Sequence, residues 1–358
     1  TLIHVRNSIS TIHNQMTYVL VQRNSNIPQG FRNALIIEVP LETTAVFSQS
    51  CIAGLSVLDR ISSLVAIDDC TSVYNKRVLE LCSGGTIAEI APAGDFTHAG
   101  HTALPHLQPN VDLLLDTDPD CIFISPDSQR RGQLYKTLYE VNLPVVLYND
   151  IRESSPLAAA EWIVFLSFFY NSEEKAEDAF SHVEQQYTMI KDAAASVSRK
   201  PTVLITSSYG ISQTNKQRQQ YIQTLVSDAG ANTIYENISE ILLQDASTSD
   251  GRKNGSFREN AKKADVWIHI TDSMFRKSDG DPGDKAISTG MILQEAASMA
   301  SSFDLPLFSN TKRVHDNGAN DFREAGILNP HVLLADLVKI IHPEIIPDHQ
   351  LYYFEALK

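Results

Sequence analysis

The chain has 358 residues, 43% of them apolar and 20% charged, with a formal net charge of -14 at pH 7. That composition supports two or three domain-sized cores and argues against wholesale disorder. The acidic balance argues against a nucleic-acid partner, which needs a basic field, and leaves room for a small ligand in a local pocket. No apolar run approaches the ~20 residues of a membrane-spanning helix. The chain begins with Thr1 and not Met, which leaves room for an export or anchor segment cut away before this numbering.

The first 40 residues read as strands and turns. Met16 to Gln22 and Ala34 to Val39 are β-branched or apolar runs separated by Asn24, Ser25, Asn26, Pro28 and Gly30, a pattern that predicts a hairpin. Strands then alternate with helices. Strands are expected at Ala45 to Ser48, Leu64 to Ile67, Cys121 to Ser125 and Pro144 to Tyr148, with helices over 52–58, 110–116 and 132–140. This alternation indicates an open, largely parallel sheet covered by helices. From Leu157 to Val197 no Gly or Pro intervenes, and two adjoining helices are expected, the second capped by Ser172. After Pro201 the α/β plan resumes. Strands are expected at 202–206, 265–270 and 305–308, and helices at 218–229, 287–300 and 332–341. The boundaries follow as an N-terminal lobe over 1–150, a helical connector over 151–198 and a C-terminal lobe over 199–358. The polar stretches 244–254 and 276–284 are long enough to be functional loops at a lobe edge.

Four cysteines, Cys51, Cys70, Cys82 and Cys121, allow three pairings. Cys70 and Cys82 are close enough in sequence to close a short loop in an oxidising compartment, and four buried thiols are the alternative.

Two Rossmann-like α/β lobes around a helical connector resemble the helical-backbone class of ABC-importer solute-binding proteins, which carry ferric siderophores, haem and cobalamin. The segment Pro109-Asn110-Val111-Asp112-Leu113-Leu114, followed by Asp118-Pro119-Asp120-Cys121-Ile122-Phe123-Ile124, is similar to that family's "N-(V/L)-E … P-D-(L/V)-I" pattern. Asp112 stands for Glu, and Cys121 for an aliphatic residue. Residues 156–171, 201–211 and 320–346 resemble a longer subgroup known mainly from Bacteroidetes-type bacteria. Arg323 replaces the subgroup's usual aromatic after Phe322, and 93–106 is an insertion. The resemblance implies a periplasmic or cell-surface receptor, lipid-anchored in some members, that holds its ligand in a cleft between lobes with modest closure. It also implies an ABC permease as partner and no cofactor.

In open α/β sheets ligands bind beyond the carboxyl ends of strands. That rule selects Tyr74, Arg130 and Arg131 in the first half and Tyr209, Arg218, Tyr221, Arg276 and Arg313 in the second. Arginine offers forked donors to the oxygens of a ferric siderophore, and tyrosine a flat face with one hydroxyl. Trp162 and Trp267 are read as core. His98 and His101, three apart in a loop with Asp95 and His106, are the candidate metal ligands. No Gly-rich phosphate loop, HExxH or GxSxG elbow occurs, so the reading is a binding protein and not an enzyme. The ferric siderophore comes first among ligands, then cobalamin or haem. A direct metal-ion receptor and a metal-dependent enzyme using the His98/His101 loop are the alternatives.

Overall fold

The computed structural model describes residues 1–6, 15–31, 34–90, 110–125, 129–207, 213–238, 255–271 and 289–357, the side chains at 129–130, 213–215, 255 and 289 excepted. The chain divides into two compact units. One comprises Thr1–Arg152, Ala158–His182 and Arg323–Leu328, and the other Glu153–Leu157, Val183–Phe322 and Asn329–Lys358.

The first unit opens with a small sheet of β1 (Leu2–Arg6), β2 (Gln15–Gln22) and β3 (Leu35–Val39). The expected hairpin between the second and third of these does not form. β2 pairs antiparallel with β1, whereas β3 runs parallel to β2. Alternating apolar residues suit either direction of pairing, so the pattern alone could not choose. Tyr18 of β2 is fully buried, and its hydroxyl accepts from the backbone N–H of Leu147 at 3.0 Å.

The larger sheet of this unit contains β4 (Thr44–Phe47), β5 (Leu64–Ile67), β6 (Ala88–Glu89), β7 (Cys121–Ile124) and β8 (Val145–Leu147). Its order is β6-β5-β4-β7-β8, parallel throughout. Helices α1 (Gln49–Val57), α2 (Lys76–Ser83), α3 (Val111–Asp116) and α4 (Gln129–Glu140) lie between the strands in sequence. A parallel strand covered on both faces needs apolar side chains on both, which is why Cys121–Ile124 reads CIFI and is buried at every position. The Asn110…Asp120 segment has a structural basis. Asn110 caps α3 by accepting from Leu113 N at 2.9 Å, and Asp118 takes the left-handed backbone at φ +43°. The Asp120 carboxylate accepts from Arg23 Nη2, Glu42 N and Thr43 N at 2.6, 2.7 and 3.2 Å.

Helices α5 (Pro156–Ser167) and α6 (Glu173–Ala195) occupy the stretch expected to be helical. Trp162, Phe165 and Phe169 stack in succession, with centroid separations of 4.9 and 5.2 Å, and the Tyr148 ring joins Trp162 at 5.3 Å. Leu328, at the end of the short helix α10 (Ala325–Leu328), belongs to the same apolar core.

The second unit is built on β9 (Thr202–Ser207), β10 (Asn232–Asn237), β11 (Val266–Ile270), β12 (Leu307–Ser309) and β13 (Glu355–Leu357). The order is β10-β9-β11-β12-β13, and all pairs are parallel except β12 with β13. Its helices are α7 (Gln213–Asp228), α8 (Gly255–Lys263), α9 (Thr289–Ser302) and α11 (Pro330–Ile341). Gly230 ends the turn after α7 at φ +82°, and a Cβ there would stand 2.7 Å from the Ala194 carbonyl oxygen. Only glycine meets both conditions. Asp336, fully buried on α11, accepts from the backbone N–H groups of Tyr352, Tyr353 and Phe354 and pairs with His349 Nε2 at 2.7 Å. That carboxylate fixes the C-terminal segment leading to β13.

Cys70 and Cys82 form a disulfide between the turn after β5 and α2, while Cys51 and Cys121 are buried free thiols. The loop closed is short, so the chain-entropy estimate of its contribution is about 3 kcal/mol. We predict that dithiothreitol lowers the thermal midpoint of the first unit by several degrees. Alkylation of the native oxidised protein should label neither Cys51 nor Cys121, and alkylation after denaturation both. Four labelled cysteines under oxidising, denaturing conditions would exclude the bond.

Candidate functional site

Each parallel sheet has one place where successive connections leave in opposite directions. In the first unit the chain passes from β4 through α1 to β5 on one side, and from β7 through α4 to β8 on the other. The switch therefore lies between the ends of β4 and β7. In the second unit β9 leads through α7 to β10, and β11 through α9 to β12, so the switch lies between β9 and β11. The carboxyl ends of strands at such points diverge and leave a crevice for a ligand.

At the first switch Ser48 and Ser125 follow β4 and β7. Ser48 is the N-cap of α1 and also meets the Ser50 hydroxyl at 3.0 Å. The Ser125 hydroxyl is buried without a hydrogen-bond partner among the described residues. Asp68 and Asp69 follow β5. Arg131, from the first turns of α4, donates through Nε and Nη2 to one oxygen of Asp68, at 2.9 and 2.7 Å. Both side chains are close to nine-tenths buried. A buried pair of this kind is structural first, because removing either member leaves a charge in a poorly solvated place. Asp69 caps the turn that follows, accepting from the N–H and hydroxyl of Thr71. Glu89, at the end of β6, accepts from Cys70 N at 2.8 Å. Burial raises its pKa above the usual carboxylate range, and the neighbouring Asp69 and Asp68 push the same way. Tyr74 is half-buried, and its backbone N–H donates to Glu324 Oε2 at 2.6 Å.

At the second switch Thr206 and His269 face each other across adjacent strands, and Thr206 Oγ1 lies 2.8 Å from His269 Nδ1. Trp267 Nε1 donates to the same hydroxyl at 2.8 Å. Thr271, just past β11, donates its N–H to Asn310 Oδ1 at 2.9 Å, and Asn320 Nδ2 donates to the Asn310 carbonyl at 3.0 Å. Complete burial lowers the His269 pKa to about 4, so the imidazole is neutral at physiological pH. Ser207, at the end of β9, bonds the Tyr235 hydroxyl.

The residues selected from the sequence are placed as follows. Arg131 and Tyr74 stand at the carboxyl edge of the first sheet, Arg131 tied to Asp68. Arg313 follows β12, donates to Asp321 at 2.6 Å and lies over the Tyr352 ring at 4.2 Å. Arg218 is partly exposed on α7, and Tyr221, one turn on, is buried. The Arg130 side chain, Tyr209, Arg276, His98 and His101 lie outside the described residues. The sequence reading passed over His269, Thr271 and Ser309. A histidine inside the apolar run VWIHI was the available signal, since a strand of that kind has no cheap place for an imidazole.

The chain thus has two α/β units, each with buried polar side chains at the carboxyl ends of its parallel strands. The chain belongs to the periplasmic binding protein family, whose pattern matches residues 75–294. An uncharacterized lipoprotein of Methanocaldococcus jannaschii is 20% identical over 94% of this chain and 75% of its own length. Among solved structures, a periplasmic heme binding protein from Pseudomonas aeruginosa superposes with a TM-score of 0.51 at 16% identity, over 89% of this chain and 95% of that one. The molybdate periplasmic binding protein MolA of Haemophilus influenzae superposes with a TM-score of 0.53 at 13% identity, over 88% and 90%. The family is that of periplasmic binding proteins, and the fold is shared with solved members of that kind.

The sign of the His269 effect is set by which state binds the proton. In the unfolded chain the imidazole protonates below its ordinary value of 6.5, whereas in the folded protein it does so only near 4. Stability is therefore lost as pH falls from 6.5 through 4, by about 3 kcal/mol from this group. His269→Gln should remove that part of the slope. The check is the difference in urea unfolding free energy between wild type and variant at pH 7 and pH 4.5, and equal slopes would refute the assignment.

Proposed function

We propose that this protein is the extracytoplasmic receptor of an ABC importer for a metal complex, a ferric siderophore in the first place. The observation that carries the reading is the donor chemistry of the two carboxyl edges. The described groups there are hydroxyls, amides, an imidazole and guanidinium groups held by neighbouring carboxylates. Such donors suit the oxygen atoms and apolar surface of a chelated metal, as do the rings of Tyr74 and Tyr352. The family supports the importer role, and the lipoprotein among the relatives supports an extracytoplasmic place and a lipid anchor. Cobalamin and haem are the next ligands in order, the latter supported by the heme binding protein among the structural neighbours. No chemical step is assigned to the chain. It binds the complex through Arg131, Tyr74 and Arg313, with Arg130, Tyr209, Arg218, Tyr221 and Arg276 as the further candidates, and delivers it to a membrane permease. A direct metal-ion receptor using His98 and His101 is the competing reading.

The test is quenching of intrinsic fluorescence, which Trp162, Trp267 and the tyrosines report. The panel is ferric hydroxamate and catecholate siderophores, cobalamin, haem, and free Zn2+ and Mn2+. The expected result is saturable, submicromolar quenching by one iron chelate, with the free ions silent. Quenching by free ions alone, abolished by His98→Ala with His101→Ala, would replace the siderophore reading with the metal-ion one.

A further inference from the structure

Three polar atoms gather at the end of the second unit's sheet: His269 Nε2, Thr271 Oγ1 and Ser309 Oγ. Each is fully buried, and each is without a hydrogen-bond partner among the described residues. His269 and Ser309 share one face. His269 pairs in register with Ser309 on the adjacent parallel strand, roughly 4.8 Å away in the sheet, and Thr271 follows His269 by two. The same face carries Trp267, Leu307 and Leu204 one step nearer the amino ends, packed with Phe257 in the apolar core beneath.

Thr206 Oγ1 accepts from the Trp267 indole and keeps one proton and one lone pair for His269 Nδ1. In the arrangement proposed below that proton goes to Nδ1, so that Nδ1 accepts and Nε2 carries the hydrogen. The set becomes one N–H and two hydroxyls, all uncharged, at the topological switch of the sheet. A buried polar group left unpaired costs about 1–3 kcal/mol, and native folds rarely leave three together unanswered. An N–H beside two rotatable hydroxyls is answered by one oxygen atom, which accepts from Nε2 and bonds both hydroxyls. A cation fits poorly, because the ring offers it a hydrogen and no carboxylate belongs to the set.

We propose that His269, Thr271 and Ser309 form a buried, uncharged binding site for a single oxygen atom, supplied either by a resident water molecule or by an oxygen of the bound cargo. The second source rests on the receptor reading given above; the first does not. Either way the second unit recognises oxygen through neutral donors, whereas the first unit places the Arg131–Asp68 charge pair at its edge.

The experiment uses Ser309→Ala, Thr271→Val and their combination with His269→Phe in the full chain. Two quantities are measured: urea unfolding of the free protein, and affinity for the ferric siderophore panel. A resident water predicts that each hydroxyl deletion lowers the folding equilibrium constant of the free protein by roughly tenfold and leaves siderophore affinity unchanged. It also predicts that the double variants with His269→Phe are non-additive, because both partners act through one shared oxygen. A cargo oxygen predicts a free protein as stable as wild type or more so, with siderophore affinity weakened roughly tenfold. The proposal is overturned if Ser309→Ala and Thr271→Val lower neither quantity. If no member of the panel binds the wild type, the free-protein measurement decides alone, and the receptor reading fails separately from this site.

Discussion

A parallel strand cannot turn back on itself, and everything functional in this molecule follows from that constraint. Each parallel strand of the two large sheets must be followed by a crossover before the next can pair, so the carboxyl ends of the parallel strands of one sheet, β13 excepted, emerge on one edge. The edge gathers backbone ends, helix starts and loops that no core packing occupies. Where the direction of the crossovers reverses, the connecting segments part, and in folds of this kind that is where ligands bind. Ser48 and Ser125 follow the strands there in one sheet, and Thr206 and His269 stand near the strand ends in the other.

What the two units place on those edges differs. In the first, Arg131 is closed onto Asp68, with Asp69 and Glu89 nearby, and the balance around the arginine is acidic. The charge of the guanidinium is therefore largely spent inside the protein. In the second, the imidazole, the hydroxyls and the Asn310 amide bear no charge, and Arg313 is shared between Asp321 and the Tyr352 ring. If the proposed function holds, a surface of that make-up would recognise by hydrogen-bond geometry and ring contact more than by net charge, as suits a chelate whose metal charge is already neutralised by its own donors.

Much of the architecture was legible because parallel strands buried on both faces leave unmistakable apolar runs. CIFI at Cys121–Ile124, LVAI at Leu64–Ile67 and VWIHI at Val266–Ile270 declare themselves in this way. Elements at the rims were not legible. Asn232–Asn237 reads NTIYEN, half polar because it is an edge strand, and Glu355–Leu357 joins its sheet only because Asp336, far upstream, binds the three amides that precede it. The direction of β3 was equally hidden, since alternation fixes which side chains are buried and not which way the strand runs. For the candidate site, the strand-end rule selected Arg131, Tyr74 and Arg313 as candidates but could not foresee that Arg131 and Arg313 would be held by Asp68 and Asp321. Nor could it promote His269, because spacing does not distinguish a satisfied core histidine from one whose second nitrogen has no partner among the described residues.

The central claim is that cargo is recognised at the carboxyl edges of the two parallel sheets. Anomalous scattering at the iron edge, from crystals grown with a ferric hydroxamate or catecholate siderophore, tests it most directly. The account predicts an iron peak beyond the carboxyl ends of β4 and β7 or of β9 and β11, in reach of the side chains that follow them. A peak at the amino edge of either sheet, or on the outer face of the covering helices, would contradict it.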